Sequence, residues 1–307
     1  MTDLTMSPTT PGVAVPFDDI DEYEGTKKLG IGAWLSIAWL ALLGFVMVFA
    51  DFLPFKDPNP DIGTVPTLAP FQNSYVLGTD GTGRDMLSLL VYGGRVSLII
   101  SVCSVAVGFL VGGTLGLIAG YYRNNWLAKL LAGLFDILLA IPALVLALSL
   151  VAVLKGTTEN PGRFTPVQIL VFALGLVAIP LVARITRANA LAWSQREFVL
   201  AARAQGASTR RILFREILPN VLPAMGYIAI LSIGIAIVAE GGLAVLGASV
   251  EAPQTSWGRM IVDGKPYMSS APFVMFEPII ALFFTVISLN FLGDVIRDRF
   301  DVRESAL

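Results

Sequence analysis

The chain has 307 residues, 55% of them hydrophobic and 14% charged, with a mean hydropathy of +0.74 and a formal net charge of −2. Soluble domains carry about 25% charged residues, so this composition excludes a water-soluble globular protein and places the chain in a membrane. With no histidine and a single Cys103, the chain lacks the commonest general base and metal ligand, an internal disulfide and any thiolate cluster.

The first thirty residues form a polar tail with Asp18, Asp19, Asp21, Glu22 and Glu24, and read as solvated and disordered. They do not read as a secretory signal, because no short apolar region with a small-residue cleavage site precedes the first long apolar run. A membrane span needs roughly 20 mostly apolar residues. On that criterion about six spans are expected, near 31–53, 96–120, 130–154, 166–187, 224–248 and 276–296. The segment 54–95 reads as an external loop with a short helix, stiffened by Pro54, Pro58, Pro60, Pro66 and Pro70. A second external loop follows at 250–275. Residues 96–300 then form a five-helix core, and 301–307 a short tail.

Lys27 and Lys28 precede the first span and predict a cytoplasmic N-terminus; an even number of spans returns the C-terminus to the same side. Fourteen of the 21 basic residues fall on predicted cytoplasmic segments and seven on external ones, which supports this orientation.

Within the second span, Gly108, Gly112, Gly116 and Gly120 recur every four residues and line one helix face. Such a stripe lets a second helix approach closely, or lines a permeation path. Pro142 and Pro180 interrupt the third and fourth spans and can kink them. Glu240 lies mid-span, where a charge costs several kcal/mol (of order 3) unless paired, hydrated or protonated. It therefore faces an aqueous path or is tied to a neighbouring helix. Asp136 and Asn290 are further candidates for path-facing or packing-critical polar groups, as is Asp294; for Asp136 and Asp294 a tie to a neighbour or a place near the interface is the simpler reading.

The loop 191–223 lies between the fourth and fifth spans and carries Arg196, Arg203, Arg210, Arg211 and Arg215. Phe198, Ala201, Ala202 and Gln205 share one side of a short helix by their i, i+3, i+4, i+7 spacing. Gly206 permits a sharp turn. Ser208 is placed to cap a second helix, with Ile212, Leu213 and Ile217 as its apolar side and Pro219 at its close. Arg211 and Arg215, one turn apart, face the cytosol or an acidic partner. This pattern reads as a docking surface or as an amphipathic pair resting on the membrane.

At these residues the chain resembles the permease subunits of ABC importers. Ala201-Ala202-Arg-Ala-Gln-Gly206, followed by Ile217-Leu218-Pro219, is similar to the family's ATPase-coupling loop, although Leu200 stands where the family has glutamate and Glu197 lies a turn earlier. Leu77-Gly-Thr-Asp80-Gly-Thr-Gly-Arg84-Asp85, Tyr92-Gly-Gly-Arg95-Val-Ser-Leu98, Ala239-Glu240 through Leu246-Gly247, Ser256-Trp257-Gly258 and Asn290-Phe-Leu-Gly293-Asp294 resemble the C-type permeases of dipeptide, oligopeptide and nickel importers. Val302 stands where many members have proline. The resemblance implies an all-α membrane protein with the type I ABC importer permease fold in the cytoplasmic (inner) membrane. It implies a second permease, two cytoplasmic ATPase subunits or domains holding ATP and Mg2+, and an extracytoplasmic substrate-binding protein. No G-x-x-x-x-G-K-S/T phosphate loop is present here, so ATP chemistry has to come from those partners. The implied cargo is a di- or oligopeptide, with nickel or another small solute as alternatives. Read from the residues alone, a proton-coupled secondary transporter using Glu240 also remains open.

Overall fold

The computed structural model describes residues 30–55, 65–123, 125–156 and 162–304. The acidic tail, Lys27, Lys28, Lys56, Pro58 and Pro60 lie outside the described residues, as do the side chains of Arg299, Val302 and Arg303. Among the described residues there is no strand, only helices and two isolated β-bridges.

The first helix, α1, spans Ile31–Val48. The second, α2, runs from Met86 to Tyr121, starting about ten residues before the expected span. Asp85 sets that start: its carboxylate accepts hydrogen bonds from the Leu87 amide (3.2 Å) and the Ser88 hydroxyl (3.0 Å). The short helix expected inside the external loop is thus the first part of α2. One wide π-turn over Gly108–Gly112 interrupts its regular winding.

The expected third span is two helices, α3 (Trp126–Ala140) and α4 (Ala143–Lys155), bent 94° apart. The cause is local. Ile141 takes an extended conformation (φ −83°, ψ 130°), as the residue before proline is forced to do, and Pro142 then opens α4. Pro180 has no such effect. It lies buried inside α5 (Pro166–Trp193), which continues unbroken from a capping box formed by Thr165 and Gln168.

Helix α6 (Glu197–Ala204) is followed by α7, which runs without a break over Thr209–Val245. Pro219 was expected to close a short helix here and does not. A π-turn over Ile212–Ile217 precedes it, and Pro219 falls in the first turn of the regular winding that follows, where a missing amide hydrogen costs least. Helices α8 (Trp257–Gly264) and α9 (Phe273–Glu304) complete the chain.

Helices α2 and α5 run parallel and touch along the glycine stripe. A Cβ on Gly108 would lie 2.7 Å from the Ala178 Cβ; on Gly112, 2.5 Å from the Ile179 carbonyl oxygen; on Gly116, 2.3 Å from that of Ala183; on Gly120, 2.7 Å from that of Arg187. The stripe is a helix–helix contact at near-backbone distance. Three apolar clusters fill the bundle. One, at the end holding α8, includes Met86, Leu89 and Trp257; a middle one includes Ile100, Leu170 and Leu243; and one, at the end holding α6, includes Leu117, Val182 and Val199.

Candidate functional site

The loop between α5 and α7 is built by two local devices. Helix α6 ends in a Schellman turn: the Gly206 amide donates to the Arg203 carbonyl and the Ala207 amide to the Ala202 carbonyl, both at 3.0 Å. Gly206 holds φ at +78°, the left-handed region that a Cβ opposes. Ser208 then caps α7, its hydroxyl accepting from the Arg211 amide at 3.4 Å.

One face of this loop is packed and the other is open. Val199 is fully buried (0% exposed) and packs in one cluster with Ile212, Leu213, Ile217, Leu117 and Ala190. Phe198 (40% exposed), Leu200 (49%) and Phe214 (55%) lie outside it. Ala201, Gln205, Ser208, Arg211, Arg215 and Pro219 are exposed as well, and Ala202 is half-buried. The expected side of Phe198, Ala201, Ala202 and Gln205 is therefore mainly the outer side of α6, and the anchor beneath it is Val199. Three alanines in an eight-residue helix leave the apolar face ill-defined, which is why periodicity missed Val199. Ile212, Leu213 and Ile217 lie inside as their spacing suggested.

The open face is basic. Arg196, Arg203, Arg210, Arg211 and Arg215 are all exposed. Arg196 stacks over Trp193 and Arg203 over Tyr121, each guanidinium 5.3 Å from the ring centroid. The salt bridges found among the described residues, Arg84–Asp80, Arg95–Asp51, Lys155–Glu251 and Arg259–Asp263, all lie towards the opposite end. The loop's arginines carry none.

Glu240 lies in α7 near that opposite end and is 0% exposed. Its Oε1 accepts a 2.6 Å hydrogen bond from the Ser256 hydroxyl and its Oε2 a 3.2 Å bond from the Ser97 hydroxyl. Ser97 in turn accepts from the Trp257 amide at 3.0 Å, and Ser256 from the Arg259 amide at 3.1 Å. The carboxylate thus ties α7 to α2 and to the N-terminus of α8, where the helix dipole favours negative charge. Of the two readings of Glu240, the structure favours the tie to neighbouring helices. Asp136 and Asn290 are exposed on α3 and α9, and neither bonds to Glu240. Ser97, Ser256 and Trp257 are the members of this site that sequence reading did not single out as its partners. Among the described residues no group of three His, Cys, Asp or Glu side chains is placed to hold a metal.

The chain as a whole is similar to known proteins. The family model of the binding-protein-dependent transport system inner membrane component matches residues 112–305. A dipeptide transport system permease of Alkalihalophilus pseudofirmus is 34% identical over 301 residues, covering 97% of this chain and 95% of that protein. The chain belongs to this family of transport permeases. A di/tripeptide transport system permease of Pseudomonas aeruginosa is 34% identical, with 88% of each chain covered. A glutathione transport system permease of Pectobacterium atrosepticum is 35% identical over 75% of this chain and 73% of that one. In fold, the permease is similar to a chain of the inward-facing MetNI methionine ABC transporter, with a TM-score of 0.57 and 22% identity over 69% of this chain and 97% of that one. It is a multi-pass membrane protein with five helices long and apolar enough to span, or six when the bent pair α3–α4 counts as one, among the described residues.

Proposed function

We propose that this permease carries di- or oligopeptides inward across the cytoplasmic (inner) membrane as one half of an ATP-driven path. Its N- and C-termini lie in the cytoplasm. Its partners are a second, related permease, two cytoplasmic ATPase subunits or domains that hold ATP and Mg2+, and an extracytoplasmic binding protein that delivers the cargo. The observation that carries this reading is the two-sided loop: an exposed apolar and basic surface seated on a buried anchor. A partner pressing on Phe198, Leu200 or Arg211 moves α6. Val199 transmits that motion to Ile212 and Ile217, and hence to α7.

The peptide assignment rests on the relatives, whose named cargoes are short peptides. A proton relay through Glu240 has no support in the geometry, because the carboxylate is fully buried and engaged by two serines. Gentle purification of the tagged chain from its native membrane, followed by mass spectrometry, tests the assembly. Recovery of a second permease with Walker-type ATPases is expected. Vesicles made from that complex should take up a labelled di- or tripeptide only with ATP and the binding protein. A chain recovered alone as a stable oligomer, or uptake driven by a proton gradient without ATP, would overturn the proposal.

A further inference from the structure

A cavity of about 420 Å³ opens between the end of α2 and the α6–α7 loop, lined by Tyr121, Tyr122, Arg123, Asn125, Arg203 and Thr209. Every one of these side chains offers a hydrogen-bond donor, and none is a carboxylate. Arg123 and Arg203 enter no salt bridge among the described residues, and Arg203 is held in place over the Tyr121 ring at 5.3 Å. Asn125 is the N-cap of the fifteen-residue helix α3, which adds the positive end of a helix dipole to the same cavity. Two guanidiniums, phenol and threonine hydroxyls, an amide and a helix N-terminus make up a phosphate-binding chemistry.

The position of the cavity indicates where such a phosphate comes from. Immediately beyond Asn125, α3 presents Trp126 (68% exposed), Leu130 (60%), Leu134 and Ile137, an apolar stripe at helical spacing that leads away from the cavity. Tyr122 and Trp126 at its mouth are residues favoured at a membrane–water boundary. We infer that this cavity binds the phosphate headgroup of an anionic phospholipid, with its acyl chains along the α3 stripe. The lipid bridges Arg123, at the α2–α3 turn, and Arg203, on α6. Occupancy therefore restrains the loop that lies between the two long helices. The inference rests on the membrane reading and not on the proposed cargo or motor.

The test is native mass spectrometry of the full chain, within its purified complex, released from nanodiscs of mixed phosphatidylcholine and phosphatidylglycerol. Wild type should retain a phosphatidylglycerol molecule that Arg123→Gln and Arg203→Gln hold at least about tenfold less well, the loss expected for one charge-assisted contact. Arg210→Gln removes a charge from the same loop outside the cavity and should retain it. Arg123 is exposed on a turn, so its replacement leaves folding intact. Equal loss in all three variants would reduce the effect to general surface charge and overturn the site. Displacement of the lipid by inorganic phosphate at comparable concentration would assign the cavity to soluble phosphates and overturn the lipid. Unchanged retention in Arg123→Gln and Arg203→Gln would overturn both.

Discussion

The hydroxyl of Ser256, the residue that caps α8, donates a 2.6 Å hydrogen bond to the carboxylate of Glu240, the acid buried in α7. Ser256 also accepts the Arg259 amide, so one hydroxyl both starts a helix and fastens it to the membrane-spanning bundle. Glu240→Ala removes the acceptor for two buried hydroxyls, Ser97 and Ser256, and leaves a void. We expect a loss of about 2–4 kcal/mol, read as a lowered Tm of the purified protein in detergent. Glu240→Gln retains an acceptor oxygen and should lose less, with ATP-driven uptake preserved. Abolished uptake in Glu240→Gln at unchanged Tm would show that the charge acts in transport rather than in packing.

Gly206 has open space where a Cβ would stand, yet its φ of +78° is hostile to one. Replacement is therefore a purely backbone effect, of about 1–2 kcal/mol for most residues and more for a β-branched one. Gly206→Val should reduce uptake strongly while the protein still folds. Gly206→Asn, which tolerates the left-handed region, should remain active. Equal activity of the two variants would show that the turn geometry is not needed.

Gly116 is the tightest point of the α2–α5 contact, with the Ala183 carbonyl oxygen 2.3 Å from where a Cβ would stand. Backbone cannot move aside as a side chain can, so Gly116→Val should cost about 3 kcal/mol or more and deplete folded protein in the membrane. Gly133 in α3 has nothing within 4 Å of that position. Gly133→Ala should be neutral or raise stability by about 0.5–1 kcal/mol. Fluorescence size-exclusion profiles of the two variants would separate these outcomes.

Lys155, at the end of α4, forms a salt bridge with Glu251 in the segment after α7. The hydrogen bond from the Lys155 ammonium, and then its charge, hold the Glu251 carboxyl below the usual carboxylate range. A lowered folded-state value means that this stabilisation is present above the ordinary carboxylate pKa and is lost as pH falls through the lowered one. The pair is exposed, so its contribution is small. Wild type should be slightly more stable than Lys155→Ala at neutral pH, and the difference should vanish in acid. A difference that grows on acidification would contradict the assignment.

Much of this architecture was legible because its causes are local. Four glycines at a spacing of four residues mark a helix contact whatever the partner, and α5 proved to be that partner. Gly206 and Ser208 announced a turn and a cap by residue type alone. Three features were not legible. The start of α2 at Met86 is diluted by Ser88, Tyr92, Gly93, Gly94 and Arg95, although Asp85 offered a cap. The continuity of α7 past Pro219 and Pro223, after a π-turn at Ile212–Ile217, leaves no composition signal. The role of Glu240 depends on Ser97, 143 residues away along the chain, and no periodicity reaches that far.

The unbroken path of α7 has a mechanical consequence. Its 37 residues make a rod about 55 Å long, with Arg211 and the α6 contact at one end and Glu240 with its hold on α8 near the other. Pivoting such a rod by about 5° around its middle shifts each tip by about 2.4 Å in opposite directions, given the helical rise. Neither Pro219 nor Pro223 divides this rod. The end that α6 touches and the end that Glu240 fastens therefore belong to one continuous element and move together.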